Sequence, residues 1–429
     1  MTTLPKGANI VSCRWVYTLK KDAMGNIVRY KARLVAQGFS QTPGVDFFDT
    51  YAPVAKMASV RTTLAKAAQC DDEIHQIDIK NAFLNAEFEE REVVYMHFLP
   101  KITVMDEKDK VLHLLRPIYG LHQSACNWYK MLNATLKKRL GMTVCEVDQA
   151  VFFFRKNKDL IVIVTHVDDL MIVTSTVDLM KKVKDEISKD FRITDLGEIH
   201  WILGFEVKWD REKCTISLSQ ALYIKVILQH YSFENIKPRA TPMDPNTKLS
   251  KSDAPKTSKE FVEMKNRPYC ESVGSLNFAA NGTRVDIAYI VGILLKYLDN
   301  PGPMHWEAVK WVFAYLSRTI DWAMMFGGEE EGLVGYADAD GSMHEDRKAI
   351  SGYAFILDSG LVSWSSKRQE IIALSTTEAE YVVVTHVAKE ALWLRTFINQ
   401  VFGDVNGPTT LHSDNQSAIA LTKDHQDHA

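Results

Sequence analysis

No stretch of the chain is apolar over the roughly 20 residues that a membrane span needs. The opening Met1-Thr2-Thr3-Leu4-Pro5-Lys6 also lacks the apolar core of a secretory signal. The expectation is a soluble, intracellular protein without a membrane partner. Cysteine is sparse: Cys13, Cys70, Cys126, Cys145, Cys214 and Cys270 are scattered, and no Cys-x-x-Cys pair occurs. This pattern indicates neither a zinc site nor a disulfide framework. Net charge is nearly absent too, at −3. What the chain does have is 46% hydrophobic and 24% charged residues over 429 positions, the composition of a globular protein with about two to four domains.

The small net charge hides an asymmetry. Residues 1–70 carry ten Lys or Arg against three acids, Asp22, Asp46 and Asp49, so this segment is a candidate for phosphate contact. Within it, alternating runs from Val11 to Leu19 and from Ile27 to Val35 flank Gly25-Asn26, which predicts a β-hairpin. Lys20, Lys21, Lys31 and Arg33 decorate that hairpin, where lysines also serve to protect edge strands.

The rest of the chain is organised around Thr165-His166-Val167-Asp168-Asp169-Leu170, set between the apolar runs Ile161-Val162-Ile163-Val164 and Leu170-Met171-Ile172-Val173. Two strands with adjacent carboxylates at their turn follow from this pattern. Paired aspartates beside hydrophobic strands repel and lose hydration, so they must be exposed or neutralised by cations. An ordinary Asp turn has the same residues. A further Asp, Asp78, lies inside the strand pattern Gln76-Ile77-Asp78-Ile79-Lys80-Asn81-Ala82-Phe83-Leu84-Asn85. One carboxylate before and two at a later hairpin is the set that two-metal phosphoryl transfer requires.

With these neighbours the chain resembles the reverse transcriptase and ribonuclease H portion of the Pol polyprotein of copia-type long-terminal-repeat retrotransposons. The resemblance runs over almost the whole length. It implies an α/β (α+β) fold in which a right-hand polymerase of fingers, palm and thumb occupies residues 1–240. A linker over 241–268, a connection over 269–331 and a ribonuclease H-like domain over 332–429 follow. It implies that Asp78, Asp168 and Asp169 hold two magnesium ions, with manganese as a substitute. Lys20 or Lys21 and Arg33 would grip the triphosphate, Phe83 would lie beneath the sugar, and Gln123, in Tyr119-Gly120-Leu121-His122-Gln123-Ser124, would contact the nucleotide. The implied partners are an RNA template, a DNA primer, deoxynucleoside triphosphates, RNA-DNA hybrid and the rest of the polyprotein. The implied location is a cytoplasmic virus-like particle, with the nucleus as an alternative.

In the last part, Asp338 ends a strand pattern, Glu378 opens a helix capped by Ser375 or Thr376, and Asp414 ends a further strand. The wording Asp-Ala-Asp, Ser-Thr-Thr-Glu-Ala-Glu-Tyr and Ser-Asp-Asn-Gln-Ser-Ala is similar to the family's ribonuclease H segments. The resemblance implies Asp338, Glu378 and Asp414 as metal ligands; Asp340 is expected either behind the ligands or in a turn, and Glu380 is expected to face solvent. Departures from the family pattern are His166 for Tyr, His122 for Lys, Ala125-Cys126 for Pro-Arg, Met343-His344 after Asp340, and a short tail without the fourth nuclease acid. They keep a second reading open: a co-opted or inactive retroelement fragment that binds nucleic acid without catalysis.

Overall fold

The computed structural model describes residues 1–21, 27–99, 110–244, 246–328, 332–340, 347–403 and 407–423. Gly25-Asn26, Met343-His344 and the terminal His425 and His428 lie outside them. The chain divides into two compact units, one of residues 1–55 and 73–198 and the other of 56–72 and 199–429.

In the first unit, after the short strands Thr2–Thr3 and Ile10–Val11, comes the hairpin of β1 (Cys13–Lys21) and β2 (Ile27–Ala36), antiparallel from Cys13↔Ala36 to Lys21↔Ile27 with a bulge near the tip. The chain then leaves this unit for α1 (Met57–Cys70). It returns in β3 (Glu73–Ile79). The long helix α2 (Ser124–Leu140) ends at Gly141 in a left-handed cap with Lys137, Lys138 and Arg139 in its last turn. Cations there complement the helix dipole. After it come β4 (Val151–Lys156), β5 (Asp159–His166), β6 (Asp169–Thr174), α3 (Val177–Ser188) and β7 (Ile193–Glu198).

These strands form an antiparallel sheet in the order β7-β3-β6-β5-β4, extended by the short strand Thr143–Val144. Ile77, Ile163, Leu170 and Ile172 cluster with Trp128, Leu132 and Leu136 of α2 and Met180, Val183 and Ile187 of α3. The alternate residues Val162, Val164, Met171 and Val173 are buried as well, which is why β5 and β6 read as unbroken apolar runs. Thr176 caps α3 through Leu179 N–H.

The second unit contains β8 (Phe205–Asp210), β9 (Thr215–Ser219) and α4 (Ala221–His230). Helix α5 (Ser258–Lys265) lies inside the segment expected to be a linker. Its capping box joins Thr257 to Glu260, a Thr-x-x-Glu start signal that the proline-bearing surroundings obscure. Helices α6 (Tyr269–Gly282), α7 (Ala288–Leu294) and α8 (Pro303–Arg318) share a core with α4 that includes Ile224, Val273, Leu276, Ile290, Val309 and Phe313. Strand β10 (Ala323–Phe326) pairs with β9. That pairing ties 199–240 to later residues, so the compact units do not follow the boundary expected at 240.

The last sheet has the order β13 (Gly360–Arg368), β12 (Ile350–Leu357), β11 (Leu333–Asp340), β14 (Thr410–Ser413). Only β11 and β14 run parallel, and α9 (Thr376–Val401) lies between β13 and β14 in the chain. Val383, Val387, Ala391, Leu394 and Ile398 make its buried stripe. Helix α1 is built into this unit. Ten of its residues are buried, and Arg61 donates to the carbonyls of Val362, Asn281 and Gly282 at 2.8, 3.0 and 3.0 Å. Its guanidinium stacks 3.9 Å from the Trp364 ring centre. Lys66 pairs with the buried Asp358 at 2.6 Å.

Candidate active sites

The turn between β5 and β6 contains only Val167 and Asp168, closed by the pair His166↔Asp169. Val167 takes φ +61°, a left-handed conformation that costs a β-branched residue about 1–3 kcal/mol. A neighbour holds it there. Trp128 of α2 donates its Nε1–H to the Val167 carbonyl at 2.7 Å. On the other flank, Ile79 N–H donates to the Asp168 carbonyl at 2.8 Å. Asp169, the first residue of β6, faces Asp78 directly in the register with β3.

Like charges placed opposite one another across a ladder are destabilising. Accordingly, burial first and then the Asp168 charge push the Asp78 carboxyl up from its ordinary value, against Lys31 and Lys80. Asp169 is raised by burial and then by Asp168 and Asp78. Three carboxylates thus share one field, and Lys31, from β2, reaches it. Lys31 and Arg33 alternate on one face of the hairpin. Arg33 lies 5.3 Å from the Tyr119 ring centre, and Tyr119 contacts the half-buried Phe83 at 4.6 Å between centroids. The alternation from Arg33 was the sequence signal that Lys31 belongs with it. Lys20 and Lys21 lie opposite Arg29 and Ile27 near the hairpin tip.

A tight backbone junction fixes this hairpin to the segment before α2. Gly120 has φ +96°, and a side chain there would stand 2.0 Å from the Ala36 carbonyl. Ala36 N–H donates to the Tyr119 carbonyl at 2.8 Å. The expectation for Gln123 is corrected. Its side chain is fully buried, accepting from Gln41 Nε2 at 3.0 Å and donating to the Asp46 carbonyl at 2.9 Å. With both amide ends committed to a buried network, Gln123 anchors the 41–46 segment and offers nothing to a nucleotide.

The second group of acids lies at the edge shared by β11 and β14. Among the described residues, Asp338, Glu380 and Asp414 place carboxylate oxygens all within 4.8 Å of one another. The expected Glu378 is not in this group. Its carboxylate accepts from Leu374 N–H at 2.6 Å and its own N–H donates to Ser375 Oγ at 3.1 Å, so it closes the start of α9. Two positions on, about 200° around the helix, Glu380 points inward and is buried, against the expectation that it faces solvent. Its Oε1 accepts from Ala339 N–H at 3.0 Å, while its buried Oε2 has no hydrogen-bond partner among the described residues. Burial, then Asp338 and Asp414, raise its pKa. A carboxylate oxygen buried without a donor, facing two exposed carboxylates, fits a hard divalent cation. Asp340 accepts from Tyr289 Oη at 3.1 Å.

A family model described as reverse transcriptase (RNA-dependent DNA polymerase) matches residues 1–245. The retrovirus-related Pol polyprotein from transposon TNT 1-94 of Nicotiana tabacum is 40% identical, over 100% of this chain and 32% of that protein. The corresponding polyprotein from transposon RE2 of Arabidopsis thaliana is 33% identical, over 97% of this chain and 28% of that protein. The chain therefore spans about a third of the length of these curated relatives. A foamy viral protease-reverse transcriptase solved in complex with double-stranded DNA aligns with a TM-score of 0.49 and 14% identity, covering 95% of this chain and 59% of that one.

Proposed function

The chain belongs to the reverse transcriptase (RNA-dependent DNA polymerase) family, and from that premise we propose that it extends a DNA primer on an RNA template. The observation that carries this reading is Asp78 set opposite Asp169, with Asp168 at the adjoining turn and Lys31 and Arg33 on the hairpin face beside them. Asp78, Asp168 and Asp169 are oxygen donors of the kind that hold magnesium, and magnesium, two ions per site with manganese as a substitute, is the proposed cofactor. When bound, it would lower the pKa of the primer 3′-hydroxyl and offset the charge of the leaving pyrophosphate. Arg33 and Lys31 supply fixed positive charge for the triphosphate of an incoming deoxynucleotide. The Phe83 and Tyr119 rings offer a floor for its sugar.

At the second group, Asp338, Glu380 and Asp414 would hold the same kind of ion, and the reaction proposed there is hydrolysis of the RNA strand of an RNA-DNA hybrid. The unpartnered Glu380 oxygen favours this reading. No histidine base is required in either site.

The test is primer extension on an RNA template with magnesium, wild type against Asp168→Asn. Extension lost in the variant, with duplex binding kept, is the expected result. Extension that survives the substitution would remove the assignment. A folded wild type that binds hybrid and extends nothing would make a nucleic-acid-binding fragment the better description.

A further inference from the structure

We propose that a cleft in the second unit, where the segment 239–250 meets helices α7 and α8, binds a small carboxylic acid with an apolar body. The cavity has a volume of about 600 Å³, inside the range of small-molecule sites. It shares no residue with Asp78, Asp168 and Asp169 or with Asp338, Glu380 and Asp414, so the proposal goes beyond both catalytic readings and depends on neither. Its shape is set by fixed ends. Arg239 N–H donates to the Ala314 carbonyl at 3.1 Å, and Trp311 of α8 donates its indole N–H to the Thr241 carbonyl at 2.8 Å. At the other end Tyr297 Oη donates to the Leu249 carbonyl at 2.8 Å. His305 accepts from Gly302 N–H through Nδ1 at 2.8 Å, so its Nε2 carries the proton and donates to the Ser250 carbonyl at 3.0 Å. The segment is thus tied down at both ends, and Met243, Asp244, Thr247 and Lys248 between the ties line the cleft.

The occupant follows from the chemistry of the lining. Ile290 and Ile293 of α7, Ala308 of α8 and Leu249 supply its apolar part. The charged groups around them differ in what they already have. Each acid has a donor: Asp244 accepts from Asn246 N–H at 2.9 Å, Glu307 pairs with Lys310, and Asp340 accepts from Tyr289 Oη at 3.1 Å. Among the described residues neither Arg239 nor Lys248 has a carboxylate partner. The hydrogen-bonding capacity left over is therefore cationic donor capacity, which an anion satisfies. Arg239 is held ready for one. Its guanidinium lies 4.0 Å from the Trp311 ring centre, a stack that restrains the planar fork with which arginine meets a carboxylate through two parallel N–H···O bonds. An apolar lining beside that fork selects an organic acid over a bare inorganic anion, because only the former has apolar surface to remove from water.

The experiment is calorimetric titration of the whole chain, in chelator so that no metal holds the anion, with naphthoate and with octanoate, each against its neutral amide. Wild type should bind at least one acid about 10-fold more tightly than the matching amide, and which acid it is tells a flat body from a chain. Arg239→Gln with Lys248→Gln, both at exposed positions, should bring acid and amide to equal affinity. Ala308→Phe, which places a ring in the cleft, should abolish binding of both. If that variant fails to fold, the glutamine pair still decides. Wild type that binds neither acid, or binds acid and amide equally, would overturn the proposal. So would an acid preference that persists in the glutamine pair, or undiminished binding in a folded Ala308→Phe, either of which would put the ligand elsewhere on the protein.

Discussion

Trp128 and Val167 are joined by one hydrogen bond, from the indole N–H of α2 to the carbonyl of a turn residue with φ +61°. The aromatic ring thus does two things: it fills the core under β5 and β6, packing edge-on to Phe191, and it holds the strained peptide that presents Asp168. Trp128→Phe keeps most of the packing and removes the donor. It should cost about 1–3 kcal/mol from the unpaired carbonyl and lower the primer-extension rate at saturating nucleotide more than it changes the nucleotide KM. An unchanged rate with the same loss of stability would show that the bond only supports the fold.

The two glutamates of α9 should separate cleanly. Glu378→Gln keeps hybrid cleavage and lowers stability by about 0.5–1 kcal/mol, the worth of a helix-start contact. Glu380→Gln should abolish cleavage in magnesium and in manganese while the fold remains. Cleavage lost in the first and kept in the second would return the ligand role to Glu378.

This pair shows where the sequence was readable and where it was not. Three acids at the ends of separate elements are visible in Asp338, the Glu378–Glu380 segment and Asp414, and the strand and helix that carry them follow from periodicity. Choosing between acids two apart requires the phase of the helix. The available signal was that Ser375-Thr376-Thr377-Glu378 is itself a helix-start pattern that occupies Glu378. Gln123 was opaque for another reason: its partners Gln41 and Asp46 are distant in sequence, so nothing local indicates that its amide is sealed. The Asp168 hairpin was legible because its flanks are apolar on both faces. The strain at Val167 was not, because a β-branched residue is the last expected at that turn position.

Neutralising an acid in the first site should stabilise the metal-free protein. Asp78 and Asp169 hold their protons more tightly folded than an ordinary carboxyl does. Stability from a raised carboxyl is present at low pH and is lost as pH rises from the unfolded value, about 3.9, through the folded one. Asp78→Asn should therefore raise the unfolding midpoint in chelator by about 1–3 °C at neutral pH, with the gain vanishing in acid, while extension is abolished. A lower midpoint at neutral pH would contradict the electrostatic account. For the same reason, divalent-ion affinity should weaken as pH falls toward the raised values, because protons and metal compete for these oxygens.

Arg61→Met should destabilise the second unit by about 2–4 kcal/mol, since it leaves the carbonyls of Val362, Asn281 and Gly282 buried without their donor. Hydrogen exchange along β13 and the end of α6 is the measurement. Faster exchange confined to α1, with β13 unchanged, would mean that the arginine serves its own helix alone.

The detour of residues 56–72 into the second unit has an evolutionary consequence. A retroelement that inherited its first 150 residues from one parent and the remainder from another would carry an α1 selected against a different β13. Arg61, Lys66 and Asp358 would then come from unmatched lineages. Viable recombinants should take residues 56–72 and 199–429 from the same parent, which requires three crossovers, at the two ends of 56–72 and near residue 198, so that α1 travels with the sheet it supports while 1–55 stays with 73–198.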